Sequence, residues 1–150
     1  MEQAQLFSDQ KTQNPQPPLI LAVEDNEDNL LLLSYALESI GCKLICQKDC
    51  STTLLVAKEY QPDLILLDIL LPGVSGIDIV RSLKQEPLTS HIAAIAVTAL
   101  ASAEDRERIL SAGFNDYISK PYMIEDLESL VRRYLCKRLN PNSLCNPCQD

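Results

Sequence analysis

Between residues 19 and 139 the chain alternates short, almost unbroken apolar runs with longer stretches whose apolar residues recur at helical spacing. Leu-Ile-Leu-Ala-Val over residues 19–23, Leu-Ile-Leu-Leu-Asp over 64–68 and Ala-Ile-Ala-Val-Thr over 94–98 contain no alternation of polar and apolar positions. Such runs predict strands covered on both faces. Residues 44–47 give a weaker strand, expected at a sheet edge, and residues 116–118 a short fifth one. Helices are predicted over 29–40, 51–60, 75–85, 102–112 and 123–138. Gly41 and Gly113 stop two of them, and Ser51 offers an N-cap to another. The last helix carries Glu125, Asp126 and Glu128 in its first turns and Arg132, Arg133, Lys137 and Arg138 toward its end. That polarity complements the helix dipole.

Five strands alternating with five helices predict an α/β fold, a doubly wound parallel sheet with helices on both faces. Right-handed crossovers leave few topologies for it. Ligands in such sheets bind beyond the carboxyl ends of the strands, where the strand order reverses. The residues at those ends therefore carry the functional expectation. Glu24 and Asp25 follow the first strand, Asp68 ends the third, Thr98 ends the fourth, and Lys120-Pro121 follows the fifth. Carboxylates gathered there repel unless protons or a cation offset them. All-oxygen ligands with open positions suit Mg²⁺. A metal and the Lys120 ammonium would neutralise an incoming phosphoryl group, Thr98 would hydrogen-bond it, and an aspartate so placed can be its nucleophile.

Composition narrows the field. The 150 residues carry 13 Lys+Arg against 21 Asp+Glu, a net charge of −8. That balance argues against a nucleic-acid platform, which needs clustered cations. No apolar run approaches the roughly 20 residues that span a bilayer, so no membrane association is expected, and a cytoplasmic location is. Residues 1–18 (Gln- and Pro-rich) read as a disordered leader, 19–138 as the folded domain and 139–150 as a flexible, cysteine-containing tail. The six cysteines fit a cytoplasmic protein as reduced thiols. Cys136, Cys145 and Cys148 are one ligand short of a closed zinc site.

The ordered set Leu-Ala-Val-Glu24-Asp25-Asn, Leu-Leu-Asp68-Ile-Leu-Leu-Pro72-Gly73-Val-Ser-Gly76, Val-Thr98-Ala99 and Asp-Tyr117-Ile-Ser-Lys120-Pro121 closely resembles the receiver domain of two-component response regulators. The resemblance covers about residues 19–138. It implies a flavodoxin-like sheet of order 2-1-3-4-5 with five helices. It implies Asp68 as phosphoacceptor, Mg²⁺ as cofactor held by Asp25, Asp68 and the Leu70 main-chain carbonyl, and Glu24 acting through water. It further implies Thr98, Ala99 and Lys120 around the phosphoryl group, Tyr117 as the aromatic whose rotamer follows Thr98, and a cis bond before Pro121. The implied partners are a sensor histidine kinase or histidine phosphotransfer protein and a downstream protein target, with a phosphorylation-dependent homodimer as a further expectation. The domain would catalyse only its own phosphorylation and dephosphorylation.

The first helix contains Leu30-Leu-Leu-Leu33, which cannot all face inward. A stripe of Leu32, Leu33, Ala36, Leu37 and Ile40 fits helical spacing and leaves Leu30, Leu31 and Tyr35 toward solvent. The resemblance makes Leu30 and Leu31 the expected partner surface. Two other readings remain open. A magnesium-dependent aspartyl phosphohydrolase needs a second Asp two residues after the nucleophile, where Leu70 stands. A receiver-like binding module without phosphorylation would not need the full residue set that is present here.

Overall fold

The computed structural model describes residues 16–69, 75–99 and 102–139. Among them, strands and helices alternate as β1 (Leu19–Val23), α1 (Glu27–Glu38), β2 (Lys43–Gln47), α2 (Thr53–Tyr60), β3 (Leu64–Asp68), α3 (Gly76–Gln85), β4 (Ala93–Thr98), α4 (Ala103–Ala112), β5 (Asp116–Ser119) and α5 (Ile124–Leu139). The five strands form one parallel sheet in the order β2-β1-β3-β4-β5. The chain leaves β1 for β2 on one side and returns to β3 on the other, which puts the switch point between β1 and β3.

Burial along the strands explains the apolar runs. All five residues of β3 are buried, while the edge strands β2 and β5 are only partly so. Alternation by two splits each central strand between two cores. Leu21, Val23, Ile65, Leu67, Ala94 and Ala96 pack on one face with Val80 and Leu83 of α3 and Ile109 of α4. Ile20, Ala22, Leu64, Leu66, Ile95 and Val97 pack on the other with Leu33 and Leu37 of α1 and Leu127 and Val131 of α5. Pro18 belongs to the folded part: it is buried, and its carbonyl accepts the Lys43 N–H at 2.8 Å.

Caps account for most helix starts. Asn26 accepts the Asn29 N–H, so α1 begins at Glu27, two residues before the predicted start. Ser75 caps α3, and Ser102 with Asp105 forms a reciprocal capping box on α4. Ser51 does not cap α2. The Asp49 carboxylate takes the Ser51 N–H instead and opens a 3-10 turn over Cys50–Thr52 that leads into the helix. Gly113 closes α4 at φ +123°, a conformation that costs other residues strain.

The first helix corrects one expectation. Leu30 is buried at 8% exposure and Leu32 is 43% exposed, the reverse of the predicted stripe. Both stripes share Leu33, Ala36 and Leu37 and obey the helical period. They differ only in rotation about the helix axis, which the docking of α1 on the sheet sets. The exposed face is therefore Leu31, Leu32 and Tyr35.

One cysteine also differs from the expectation of reduced thiols. Cys42, Cys46 and Cys50 are free, whereas Cys136 is disulfide-bonded, with a partner outside the described residues. Burial pushes the Cys42 thiol up from its ordinary 9.0 to about 11. The unfolded chain ionises this thiol first, so its contribution is fully present below pH 9 and is lost as pH rises toward 11. Two units correspond to about 2–3 kcal/mol. The gap in stability between wild type and Cys42→Ala, followed by urea denaturation from pH 8 to 11, should change by about that amount in favour of the variant. A constant gap would contradict it.

Candidate functional site

The carboxyl ends of β1, β3, β4 and β5 deliver the candidate residues to one edge of the sheet. Glu24 directly follows β1, and its N–H donates to the Gln47 carbonyl at 2.9 Å. Its side chain is 3% exposed. A buried carboxylate needs compensation, and Glu24 has it. Oε1 accepts from Lys120 Nζ at 2.9 Å, and Oε2 accepts the Asn26 N–H at 3.1 Å. Asp68, the last residue of β3, is 6% exposed and accepts from the same Nζ at 2.9 Å through Oδ2. Lys120 lies just past β5. Its backbone N–H donates to the Thr98 carbonyl at 2.8 Å, and the Lys120–Pro121 bond is cis. Thr98, the last residue of β4, is fully buried.

Carboxylate oxygens of Glu24, Asp25 and Asp68 all lie within 4.8 Å of one another. One ammonium faces them. Burial disfavours the charge on Lys120, but the hydrogen bonds and attraction from Asp68 and Glu24 outweigh it and raise its pKa above the ordinary lysine value. Three carboxylates against one lysine leave an excess of negative charge. The donor set is entirely oxygen, and Asp25 is exposed to solvent. That suits a hard divalent cation that keeps part of its water shell, and Mg²⁺ fits the residues present.

A groove of about 430 Å³ opens beside the cluster, lined by Asn29, Leu32, Ala99, Lys120, Pro121 and Tyr122. Ala99 thus stands next to Lys120 at the mouth of the site, and its small side chain leaves the approach open. Tyr117 on β5 is half-buried against the core face that α3 and α4 cover. Of the residues expected from the sequence, Glu24, Asp25, Asp68 and Lys120 meet directly, and Thr98 and Ala99 border them. Leu70, whose main-chain carbonyl was expected as a metal ligand, lies outside the described residues. Leu30 is buried under α1 and offers a partner nothing.

Three contributors to the site carry no periodic signal in the sequence. The Asn26 N–H orients Glu24, a turn contact that composition does not betray. Tyr122 lines the groove, and burial raises its phenol pKa. Gly76 lies so close to β3 that an added Cβ would sit 2.7 Å from Ile69 Cα and 2.8 Å from the Asp68 carbonyl oxygen. Its position two residues after the Gly73-Val pair was visible, but the close approach was not.

The fold and site together define a class: a doubly wound parallel sheet with an aspartate, a lysine and two further acidic residues gathered at the carboxyl ends of its strands. The response regulator receiver domain model matches residues 20–132, and the chain belongs to that family. It is 40% identical over 119 residues to the polar-differentiation response regulator DivK of Brucella anthropi, covering 79% of this chain and 97% of that protein. The DivK of Brucella ovis is 40% identical over 116 residues, covering 77% and 94%. Among solved structures, the receiver domain of the sensor histidine kinase PA1611 from Pseudomonas aeruginosa superposes with a TM-score of 0.74 at 32% identity, covering 80% of this chain and 98% of that one. That structure holds a magnesium ion in its active-site cleft. The chemotaxis protein CheY4 of Vibrio cholerae shares the fold, with a TM-score of 0.75 at 22% identity over 79% and 99% of the two chains. No helix among the described residues is long and apolar enough to cross a membrane.

Proposed function

We propose that the chain accepts a phosphoryl group on Asp68 from a phosphohistidine of a sensor histidine kinase or a histidine phosphotransfer protein. A carboxylate oxygen of Asp68 attacks phosphorus and the phosphorus–nitrogen bond breaks. Its electron pair returns to the imidazole, and an acyl phosphate remains on Asp68. The observation that carries this reading is the nearly buried Asp68 carboxylate, 2.9 Å from the Lys120 ammonium and clustered with Glu24 and Asp25. Asp25, Asp68 and the Leu70 main-chain carbonyl would hold Mg²⁺ directly, with Glu24 acting through water. The metal supplies neutralisation of the phosphoryl charge. Lys120 pairs with one phosphoryl oxygen and Thr98 donates to another, with Tyr117 following Thr98.

The same reading makes the chain a signalling module that acts on itself rather than an enzyme with turnover, working in the cytoplasm and passing its state to a downstream protein or to a second copy of itself. The phosphodonor would dock on the exposed α1 face. There Asp28, Leu31, Leu32 and Tyr35 line a shallow groove of about 420 Å³, and Leu32 also lines the groove at the site.

Incubation with acetyl phosphate tests this. With Mg²⁺ the wild type should gain one phosphoryl group, and chelation of the metal should prevent it. Asp68→Asn should lower the rate by at least about a hundredfold, as expected when the nucleophile is removed. Labelling of Asp68→Asn at the wild-type rate would overturn the assignment.

A further inference from the structure

Helix α4 carries Asp105, Arg106, Glu107 and Arg108 in succession. Arg108 turns back to Asp105, with an N–O distance of 3.4 Å. Arg106 does otherwise: its guanidinium carbon lies 5.6 Å from the centre of the Tyr117 ring, the geometry of a cation–π contact. Among the described residues it makes no ion pair.

The strand register shows what this contact touches. Tyr117 stands opposite Ala96, and Thr98 lies two residues further along β4. Side chains two apart share a sheet face, so Thr98 and Tyr117 are diagonal neighbours on the face that α4 covers. Ala96 is too small to block movement of the ring between them. A change of χ1 at Tyr117 swings the whole ring to another place, and the contact with Arg106 belongs to the rotamer seen here.

We infer that Arg106 is a positioning residue that holds Tyr117 in its resting rotamer and so sets how readily occupancy of the Asp68 site moves the ring. The inference rests on the phosphoacceptor reading above. An exposed contact of this kind shifts an equilibrium by about two- to fivefold.

Beryllofluoride, an anionic phosphoryl mimic, provides the probe, with its affinity measured in the presence of Mg²⁺ on the full chain. Arg106→Ala should tighten binding by about two- to fivefold, because the competing rotamer is less favoured. Arg106→Lys, which keeps the charge but not the planar stacking, should fall between. In a Tyr117→Ala background the Arg106→Ala effect should vanish. A fluorotyrosine resonance at position 117 should shift in free Arg106→Ala toward its beryllofluoride-bound position. If Arg106 acted only through its charge, removing it from this acidic protein would weaken anion binding, the opposite sign. Unchanged or weaker binding, or an effect that persists without Tyr117, overturns the inference while leaving the Asp68 assignment intact. Failure of the wild type to bind beryllofluoride at all overturns the phosphoacceptor reading and this inference with it.

Discussion

Lys120→Met should destabilise the metal-free protein by about 1–3 kcal/mol, and saturating Mg²⁺ should recover most of that loss. Lys120 is the shared partner of two carboxylates, Glu24 and Asp68, each at 2.9 Å and each almost fully shielded from water. Removing one member of a buried ion pair typically costs about 3–5 kcal/mol, because the remaining charge is left uncompensated. The lysine side chain itself is 24% exposed, which lowers the expectation. Methionine keeps most of the apolar stem, so lost packing contributes little. A divalent cation at the same carboxylates replaces the missing charge, which is why the metal should rescue. The measurement is urea denaturation of both proteins in a chelator and in excess Mg²⁺. Equal stability of the two without metal would show that the carboxylates do not depend on Lys120. A deficit that Mg²⁺ leaves untouched would show that the acidic cluster does not hold the ion.

Gly76→Ala should cost about 1–2 kcal/mol and weaken Mg²⁺ binding at the same time. The added methyl carbon would lie 2.7 Å from Ile69 Cα and 2.8 Å from the Asp68 carbonyl oxygen, both main-chain atoms that cannot turn aside. The Gly76 N–H also donates to the Ile69 carbonyl at 3.0 Å, so the start of α3 is tied to the end of β3. Relief of the clash requires one of them to move. Overpacking of this kind costs about 1–3 kcal/mol. Alanine's better helix propensity acts in the opposite direction but is worth about 1 kcal/mol at most. Because the strained atoms belong to Asp68 and its neighbour, the shift should misplace the carboxylate proposed to hold the metal as well as loosen the fold. A urea midpoint and Mg²⁺ affinity equal to those of wild type would refute the close approach.

The sheet was legible in the sequence because its central strands are buried on both sides, which leaves no polar residue to blur the runs at 19–23 and 64–67. The site was legible for a related reason. Polar residues appear in these strands only at their carboxyl ends, so Asp68 and Thr98 stand out against apolar neighbours. Rotation of α1 was not legible, because four consecutive leucines satisfy more than one helical stripe, and only contact with the sheet selects Leu30 over Leu32. The start of α2 was missed where two capping residues, Asp49 and Ser51, compete within three positions and the aspartate prevails. The roles of Gly76, Tyr122 and Arg106 depend on contacts between segments distant in sequence, to which periodicity is blind.

The central claim is that Asp68 is the residue that becomes phosphorylated. An acyl phosphate can be reduced by borohydride to the corresponding alcohol, which marks its position permanently for peptide mass spectrometry. After incubation with acetyl phosphate and Mg²⁺, the reduced residue should appear at Asp68, and no mark should appear when the metal is chelated. A mark at Asp25, Glu24 or any other carboxylate, or no mark with Mg²⁺ present, would contradict it.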